Sequence, residues 1–311
     1  MESLNRMAVE LVDEAIDFAD ELAIEVHELD NGAVVLDFGV DALGGVEAGL
    51  LLAEIQTGGL ATVQTGVRDL EGTPRTYVEV STDHPAMAFL AAQKAGWELS
   101  IEGFEGLGSG PARALVAEEE EFQRIGYRDA ADFTVLAVES DELPGEAVAE
   151  HVAERTGVPT SSVFLPTFST ASLTGSVALA GRAGELATFR LSELGYDPLD
   201  VLSVTASAPV APVPGSDNEA MARTNDALAY GSRVHATVET GFDRFDEVAS
   251  TAGDEFGTPF AEIFADHEWD FYDLPVELFA PAQVTVDVIG EGVEVIGGTD
   301  EALLAESFGL R

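Results

Sequence analysis

The first helix is predicted by the spacing of apolar side chains near the start of the chain. Acidic residues lie on the opposite face of this stretch, and Ser3 is suited to the N-cap. The pattern predicts one amphipathic helix over residues 4–22. Its apolar positions recur every three or four residues, at Leu4, Met7, Ala8, Leu11, Ala15, Phe18 and Leu22.

Short apolar runs bounded by turn residues predict β-strands and two hairpins. The first hairpin turns at Asp30-Asn31-Gly32, between runs at 24–26 and 34–36. The second turns at Gly290-Glu291-Gly292, between runs at 282–288 and 293–296. Further strand-like runs lie at 76–81, 98–101, 133–138, 201–206 and 234–238. Helical stretches are predicted at 86–95, 112–120, 145–156, 184–195, 218–230 and 300–307.

These elements favour an α+β fold. Helices and strands are mixed without a regular strand–helix–strand repeat, and hairpins require antiparallel pairing. No internal repeat, low-complexity tract or clear linker divides the sequence. We therefore expect residues 1–311 to form one compact unit, within which the predicted subdomains are either residues 1–130 and 131–311 or two discontinuous sets of segments.

The charge of the chain is strongly negative. Of 311 residues, 58 are Asp or Glu and 14 are Lys or Arg, which gives a formal net charge of −44. This excess excludes binding to a nucleic-acid backbone and disfavours an anionic membrane surface. Hydrophobic residues still make up 46% of the chain, which is enough to build a core. The sequence contains no cysteine, which excludes disulfides, thiolate catalysis and Cys-ligated metal centres.

Lys94 is the single lysine in the sequence, and all other cations are arginines. Loss of Lys together with an excess of acidic residues indicates a surface adapted to salt, because near 1 M salt the screening length falls to about 3 Å. We therefore expect the protein to work in the salt-rich cytoplasm of an extreme halophile. The first residues do not resemble a signal peptide, and no stretch is apolar enough to span a bilayer, which agrees with a cytoplasmic location.

Two segments, 156–181 and 201–216, contain no charged residue. If solvent-facing positions are acidified, uncharged segments are either buried or covered by a ligand. Both segments are rich in Ser, Thr, Gly and Pro. Buried strands with turn residues would explain them, and a pocket wall would explain their polarity.

Several catalytic motifs are missing from the sequence. The five histidines, at positions 27, 84, 151, 235 and 267, are scattered and give no metal-ligand spacing, so no metal site is predicted. There is no Gly-x-Ser-x-Gly elbow, and the lysine does not lie in a phosphate-binding loop.

One glycine-rich turn, Gly106-Leu107-Gly108-Ser109-Gly110-Pro111-Ala112-Arg113, is a candidate anion site. It follows a strand-like run and leads into a helical stretch, so amides at the helix start and Arg113 would suit a phosphate or carboxylate. Its spacing differs from the dinucleotide fingerprint Gly-x-Gly-x-x-Gly. Pro111 equally suits the first position of an ordinary helix.

Arg182 and Glu185 are spaced i,i+3 and share one face if they are helical. The plain interpretation is a surface ion pair worth under about 1 kcal/mol. Because the pair borders an uncharged segment and Arg is scarce, a catalytic role is an equal alternative. Lys94 is likewise either retained by chance or kept for a role that Arg cannot perform.

Several segments together resemble the methenyltetrahydromethanopterin cyclohydrolase family. Their order and spacing match along nearly the whole chain, which is far more specific than any single motif. The matching residues are Gly58-Gly59-Leu60-Ala61, Asp83-His84-Pro85, Gln93-Lys94-Ala95-Gly96-Trp97, Gly108-Ser109-Gly110-Pro111-Ala112-Arg113-Ala114-Leu115, Gly175-Ser176-Val177, Arg182, Glu185, Gly195-Tyr196-Asp197-Pro198, Thr224-Asn225-Asp226 and Phe279-Ala280-Pro281-Ala282-Gln283.

The resemblance implies an enzyme that hydrolyses the methenyl bridge of 5,10-methenyltetrahydromethanopterin, or of a related tetrahydropterin or tetrahydrofolate, to the formyl derivative in one-carbon metabolism. It implies two tightly associated α+β subdomains with a pocket between them, assembled as a homotrimer. It also implies that no metal, nucleotide or redox cofactor is needed, the pterin being the substrate.

The resemblance also implies roles for individual residues. Glu185 and Arg182 would be the catalytic pair, with Glu185 taking a proton from the attacking water and Arg182 holding Glu185 in place. The residues expected to bind anionic tails of the substrate are Lys94, Ser109, Gly110 and Arg113.

Two other functions stay open on the sequence alone. The Gly106–Arg113 turn would suit a nucleotide- or phosphosugar-binding oxidoreductase, which saturable NAD(P) binding would reveal. A non-enzymatic acidic partner-binding module would leave the absorbance of a methenyl-pterin unchanged.

Overall fold

The computed structural model describes residues 2–267, 269 and 274–310. Its α-helices are α1 (Leu4–Asp17), α2 (Ala19–Leu22), α3 (Val46–Gln56), α4 (Ala112–Val116), α5 (Glu120–Ile125), α6 (Glu146–Thr156), α7 (Leu173–Ala180), α8 (Ala183–Glu193), α9 (Asp217–Gly231), α10 (Phe260–Asp266) and α11 (Glu301–Ser307). A π-helix spans Ala86–Gln93. Short 3-10 helices lie at Thr160–Ser162, Pro198–Asp200, Phe245–Glu247, Ser250–Ala252 and Val276–Leu278.

The strands form two mixed sheets, which confirms the predicted α+β class. They are β1 (Glu25–Glu28), β2 (Val34–Asp37), β3 (Thr62–Leu70), β4 (Thr73–Thr82), β5 (Ala95–Ile101), β6 (Phe104–Ser109), β7 (Thr134–Val135), β8 (Ala137–Glu139), β9 (Val163–Phe168), β10 (Val201–Pro209), β11 (Arg233–Val238), β12 (Gln283–Val288) and β13 (Gly292–Gly297). Both predicted hairpins are confirmed, since β1 pairs antiparallel with β2 and β12 with β13.

Several predicted elements are interrupted where the backbone leaves the regular conformation. The helix predicted over 4–22 breaks at Phe18, whose φ of −112° and ψ of 25° end α1. The helix predicted over 112–120 ends at Val116, because Ala117 adopts a left-handed conformation with φ of 53°. The stretch 86–95 is a π-helix only to Gln93, and the strand predicted over 133–138 consists of β7 and β8.

The chain divides into two compact units, each made of two separate segments. The first unit comprises the segment up to Thr62 and Met87–Ala178; the second comprises Val63–Ala86 and the segment from Leu179 onward. This division differs from a contiguous cut after residue 130, because β4 pairs with β10 from the second half of the chain.

The first unit is built around a sheet with the order β1-β2-β9-β8-β6-β5, in which β7 also pairs with β9. Strand β9 is central and runs parallel to β2, β7 and β8. The burial of β9 and of α7 together explains why about half of the uncharged segment 156–181 lacks charge. Side chains of the sheet and of α6 share one core, which includes Val35, Trp97, Leu99, Leu136, Val138, Val148, Val152 and Leu165.

The second unit is built around a sheet with the order β13-β12-β11-β10-β4-β3. Helices α8 and α9 pack against β10. On β12 the buried residues Val284, Val286 and Val288 alternate with residues that are only partly buried, so one face of the sheet contributes to the core. Strand β10 accounts for most of the uncharged segment 201–216. Among the described residues, no helix has the length and apolar character to cross a membrane.

Candidate active site

Arg182 and Glu185 form a buried ion pair at the start of α8. Arg182 directly precedes the helix, and Glu185 lies in its first turn, where the helix dipole favours a negative charge. Nε of Arg182 donates to Oε2 of Glu185 at 2.7 Å, and the two side chains are only 10% and 4% exposed. The pair is therefore not the solvated surface bridge that the plain interpretation of the sequence assumed.

The second carboxylate oxygen of Glu185, Oε1, is the atom that can take part in acid–base chemistry. Within the described residues, the hydrogen bond of this carboxylate joins Oε2 to Arg182, and none reaches Oε1. A carboxylate oxygen without a donor can accept a proton from water. The arrangement thus combines a fixed orientation with one oxygen available for acid–base chemistry.

Lys94 belongs to a second charged cluster, which lies in the first unit. Its Nζ contacts Oε2 of Glu119 at 3.4 Å and Oε1 of Glu121 at 2.5 Å, and the lysine side chain is 18% exposed. Burial opposes ionisation of Glu119, but the hydrogen bonds and charges of Arg113 and Lys94 outweigh it and hold the pKa of that carboxyl below its usual value. Lys94 is therefore a fixed cation with partial access to solvent.

Arg113 does not fit the predicted role of a substrate contact. Its side chain is fully buried; Nε donates to Oε1 of Glu119 at 2.9 Å, and Nη2 donates to Oε2 of the same carboxylate. Its Nη1 donates to the carbonyl oxygens of Leu90 and Ala92, each at 3.2 Å. The guanidinium offers no surface to a ligand, so we assign it to holding Glu119 against the end of the π-helix.

Ser109 and Gly110 are also occupied by contacts within the protein. Oγ of Ser109 accepts a hydrogen bond from Nε2 of Gln56 at 3.1 Å, and the serine is 3% exposed. The N–H of Gly110 donates to the carbonyl oxygen of Ala92 at 2.9 Å. The Gly110 amide is thus not available to the anion that the sequence analysis assigned to it.

The glycine-rich segment is a packed strand rather than an anion-binding loop. Residues 104–109 form β6, which pairs with β5 and β8. A Cβ at Gly106 would lie 3.1 Å from Cγ1 of Val138, and one at Gly108 would lie 3.1 Å from Cδ1 of Leu136. These glycines therefore allow close packing across the sheet.

Sequence reasoning missed Glu119, which contacts both Lys94 and Arg113, and Glu121, which contacts Lys94. Both lie in a run of four consecutive glutamates, 118–121, which in so acidic a chain has the pattern of a solvated surface. The only sequence signal was that Phe122, a core residue, follows directly. The six predicted site residues thus fall into two groups, with Lys94, Ser109, Gly110 and Arg113 in the first unit and Arg182 and Glu185 in the second.

Comparison with known proteins identifies the family. A sequence profile described as Cyclohydrolase (MCH) matches residues 3–308. The methenyltetrahydromethanopterin cyclohydrolase of Halobacterium salinarum is 57% identical over 310 residues, which cover all of both chains. The proteins of the same name from Methanocella arvoryzae and Methanococcoides burtonii are 42% and 35% identical, each over the whole of this chain and 99% of the relative. These findings contradict the oxidoreductase alternative. The chain belongs to the methenyltetrahydromethanopterin cyclohydrolase family.

Proposed function

We propose that this protein hydrolyses the methenyl bridge of 5,10-methenyltetrahydromethanopterin to the formyl derivative, as a step of one-carbon metabolism. The names of its relatives and the family match over residues 3–308 support this substrate. The observation that carries the mechanism is the buried Arg182–Glu185 pair, in which Oε1 is left for water. Because the methenyl carbon is already electrophilic, its hydrolysis mainly requires a base that is held in place to take a proton from water.

The proposed reaction begins at the methenyl carbon, an amidinium-type electrophile bonded to two nitrogens. Water adds to this carbon, and Glu185 takes one proton of the water as the C–O bond forms. The carbinol intermediate then collapses as one C–N bond breaks. The leaving nitrogen receives the proton from Glu185, and the carbinol hydroxyl loses its own proton as the formyl C=O forms. One water is consumed, one proton is released, and no electrons are transferred.

Arg182 acts in this proposal as a positioning residue for Glu185. A lone cation beside a cationic substrate would be unfavourable, whereas the 2.7 Å contact with Glu185 neutralises the guanidinium. The contact also fixes the carboxylate, so that Oε1 presents a constant direction to the attacking water.

Of the two cations predicted to bind the substrate, Lys94 and Arg113, only Lys94 has that role in the proposal. Its partial exposure and its position between Glu119 and Glu121 suit a charge held ready for an anionic tail of the substrate. Arg113 would support this site indirectly by fixing Glu119.

The proposal requires no metal, nucleotide or redox cofactor, because the methenyl carbon is already electrophilic. We place the enzyme in the cytoplasm, and we propose that it assembles as a homotrimer, as the family resemblance implies. The single lysine and the net charge of −44 agree with a salt-rich interior.

The test is the absorbance of the methenyl chromophore, which disappears when the ring opens. Purified protein in about 3 M KCl should bleach methenyltetrahydromethanopterin, and treatment with EDTA should leave the rate unchanged. Methenyltetrahydrofolate, assayed in parallel, decides which carrier the enzyme prefers. No bleaching of either substrate by the parent protein would favour a partner-binding module instead.

Glu185→Gln tests the assigned base, because the amide keeps the size of the side chain but cannot take the proton. We expect kcat to fall at least about 100-fold while KM changes little. Glu193→Gln, at an exposed glutamate in the same helix, is the matched control and should retain full activity. Near-normal turnover by Glu185→Gln would remove Glu185 as the base.

A further inference from the structure

Lys94 is held by two carboxylates that are anchored in different ways. Its Nζ lies 3.4 Å from Oε2 of Glu119 and 2.5 Å from Oε1 of Glu121. Arg113 donates to both oxygens of Glu119, so that carboxylate has a second, independent anchor. Among the described residues, the carboxylate of Glu121 forms its hydrogen bond and its ion pair with Lys94 alone. Lys94 therefore has one locked partner and one partner that is held by Lys94 itself.

The three residues come from neighbouring segments of the first unit and lie close to its surface. Lys94 follows the π-helix, and its N–H donates to the carbonyl oxygen of Phe89 at 2.7 Å. Glu119 directly precedes α5, and Glu121 lies in the first turn of that helix. The side chains of Glu119 and Glu121 are 21% and 9% exposed. The ammonium group is thus within reach of a dissolved ligand, although both carboxylates shield it.

The ion pairs of this segment are balanced. Each glutamate of the run 118–121 is paired with a cation: Glu118 with Arg155, Glu119 with Arg113 and Lys94, Glu120 with Arg124, and Glu121 with Lys94. An anion that joined Lys94 without any departure would place three negative groups around one ammonium ion. Like charges a few ångströms apart in a partly buried site repel strongly. One carboxylate must therefore leave Lys94 when an anionic ligand arrives.

Glu121 is the carboxylate whose departure costs less. Departure of Glu119 would remove the ion pair of Arg113, whose side chain is fully buried, and a buried charge that loses its partner is strongly destabilising. Departure of Glu121 breaks its contact with Lys94 and leaves the Arg113–Glu119 pair intact. A change of side-chain rotamer is enough to carry a carboxylate this close to the surface into water.

We propose that Glu121 is an internal counter-ion of Lys94 and that an anionic group of the substrate displaces it. In the free protein Glu121 neutralises Lys94. In the complex a carboxylate or phosphate of the substrate takes the place of Glu121, while Glu119 and Arg113 keep the lysine in position. The inference rests on the proposed function, which assigns Lys94 to an anionic tail of the pterin substrate.

The exchange gives a reason for a lysine at this position, in a chain whose other cations are all arginines. An ammonium group is a compact charge with three donors on a rotatable bond, so it can pass from one oxygen to another. A guanidinium holds a carboxylate through two parallel hydrogen bonds, as Arg113 holds Glu119, and such a pair resists exchange. Lys94 thus has a role that Arg cannot perform.

Glu121→Gln tests the exchange by kinetics, because the amide keeps the size of the side chain and loses the charge that competes with the ligand. With methenyltetrahydromethanopterin as substrate, we expect KM to fall at least about fivefold while kcat changes by less than about twofold. Glu120→Gln is the matched control, since it removes the same charge from an exposed neighbour that pairs with Arg124, and it should keep the parental KM. An unchanged or raised KM in Glu121→Gln would overturn the exchange.

Chemical labelling of the parent follows both partners directly. Lys94 is the single lysine, so an amine-acylating reagent reports on this side chain and the N-terminal amine only. A carbodiimide with an added amine labels accessible carboxylates, and peptide mass spectrometry reads Glu120 and Glu121 separately. Saturating substrate, at equilibrium with its product, should slow acylation of Lys94 and raise labelling of Glu121, each at least about fivefold, and leave Glu120 unchanged.

The bleaching of the methenyl chromophore, followed in the same samples, separates the two proposals. Bleaching by the parent with constant labelling of Glu121 would overturn the exchange and leave the proposed function standing. No bleaching by the parent would overturn the proposed function, and the exchange with it. Reciprocal changes at Lys94 and Glu121 in a protein that bleaches the substrate are the result we expect.

Discussion

At the scale of single residues, Asp226 is a buried acid outside the candidate active site. It lies in α9 with 1% exposure and accepts hydrogen bonds from the N–H of Phe260 at 2.9 Å and from Oγ of Ser307. Burial raises the pKa of Asp226 to about 6, although the two hydrogen bonds oppose the shift. Because this value lies above the ordinary pKa of about 3.9, its contribution to stability is complete below about pH 4 and is lost as the pH rises through 6.

Asp226→Asn should remove this pH dependence. We expect the free energy of unfolding of the variant minus that of the parent to increase by up to about 3 kcal/mol from pH 4 to pH 8. A shift of two pKa units corresponds to about that free energy. Denaturant titrations at constant high salt measure the difference. Asp254→Asn, at an exposed aspartate, controls for the loss of one negative charge. A difference that does not change with pH would show that Asp226 does not titrate as a buried acid.

At the scale of secondary structure, β6 shows how glycine can resemble a ligand site in sequence and serve packing in the fold. A Cβ at Gly108 would lie 3.1 Å from Cδ1 of Leu136 and 3.2 Å from Cβ of Trp97, both in the core of the first unit. Gly108→Ala should therefore lower the free energy of unfolding by about 1–3 kcal/mol through overpacking. Gly145→Ala, at an exposed position with open space around it, is the matched control. Equal stability of Gly108→Ala and the parent would contradict the packing role.

Other elements show what the sequence could predict and what it could not. Periodicity located the helix that begins at Leu4 and both hairpins, because each depends on residues close together in the chain. The i,i+3 spacing likewise predicted the contact of Arg182 with Glu185. The burial of Arg113 depends on Glu119 and on two carbonyl groups of the π-helix, and the pairing of β4 with β10 joins distant segments. Such contacts are set by tertiary packing, which local patterns do not encode.

At the scale of the whole molecule, the net charge and the uncharged segments 156–181 and 201–216 have separate causes. The chain has 58 acidic and 14 basic residues, and this excess of acidic residues reflects the salt-rich solvent in which the protein works. The uncharged segments have a structural cause: β9 is uncharged because it is a buried central strand, and β10 is buried at six of its nine positions. Much of each uncharged segment is therefore accounted for by burial in the core.

The net charge leads to a prediction about the whole fold. Thermal melts from about 0.1 to 3 M KCl should show a steadily rising midpoint, because the screening length shrinks from about 10 Å to below 3 Å and the repulsion among carboxylates fades. Sucrose of equal osmolality is the control, since it is excluded from the protein surface but does not screen charge. A rise in KCl that sucrose fails to reproduce identifies screening as the cause. An unchanged midpoint in KCl would contradict the halophilic interpretation, and an equal rise in sucrose would assign the effect to solute exclusion rather than to the −44 charge.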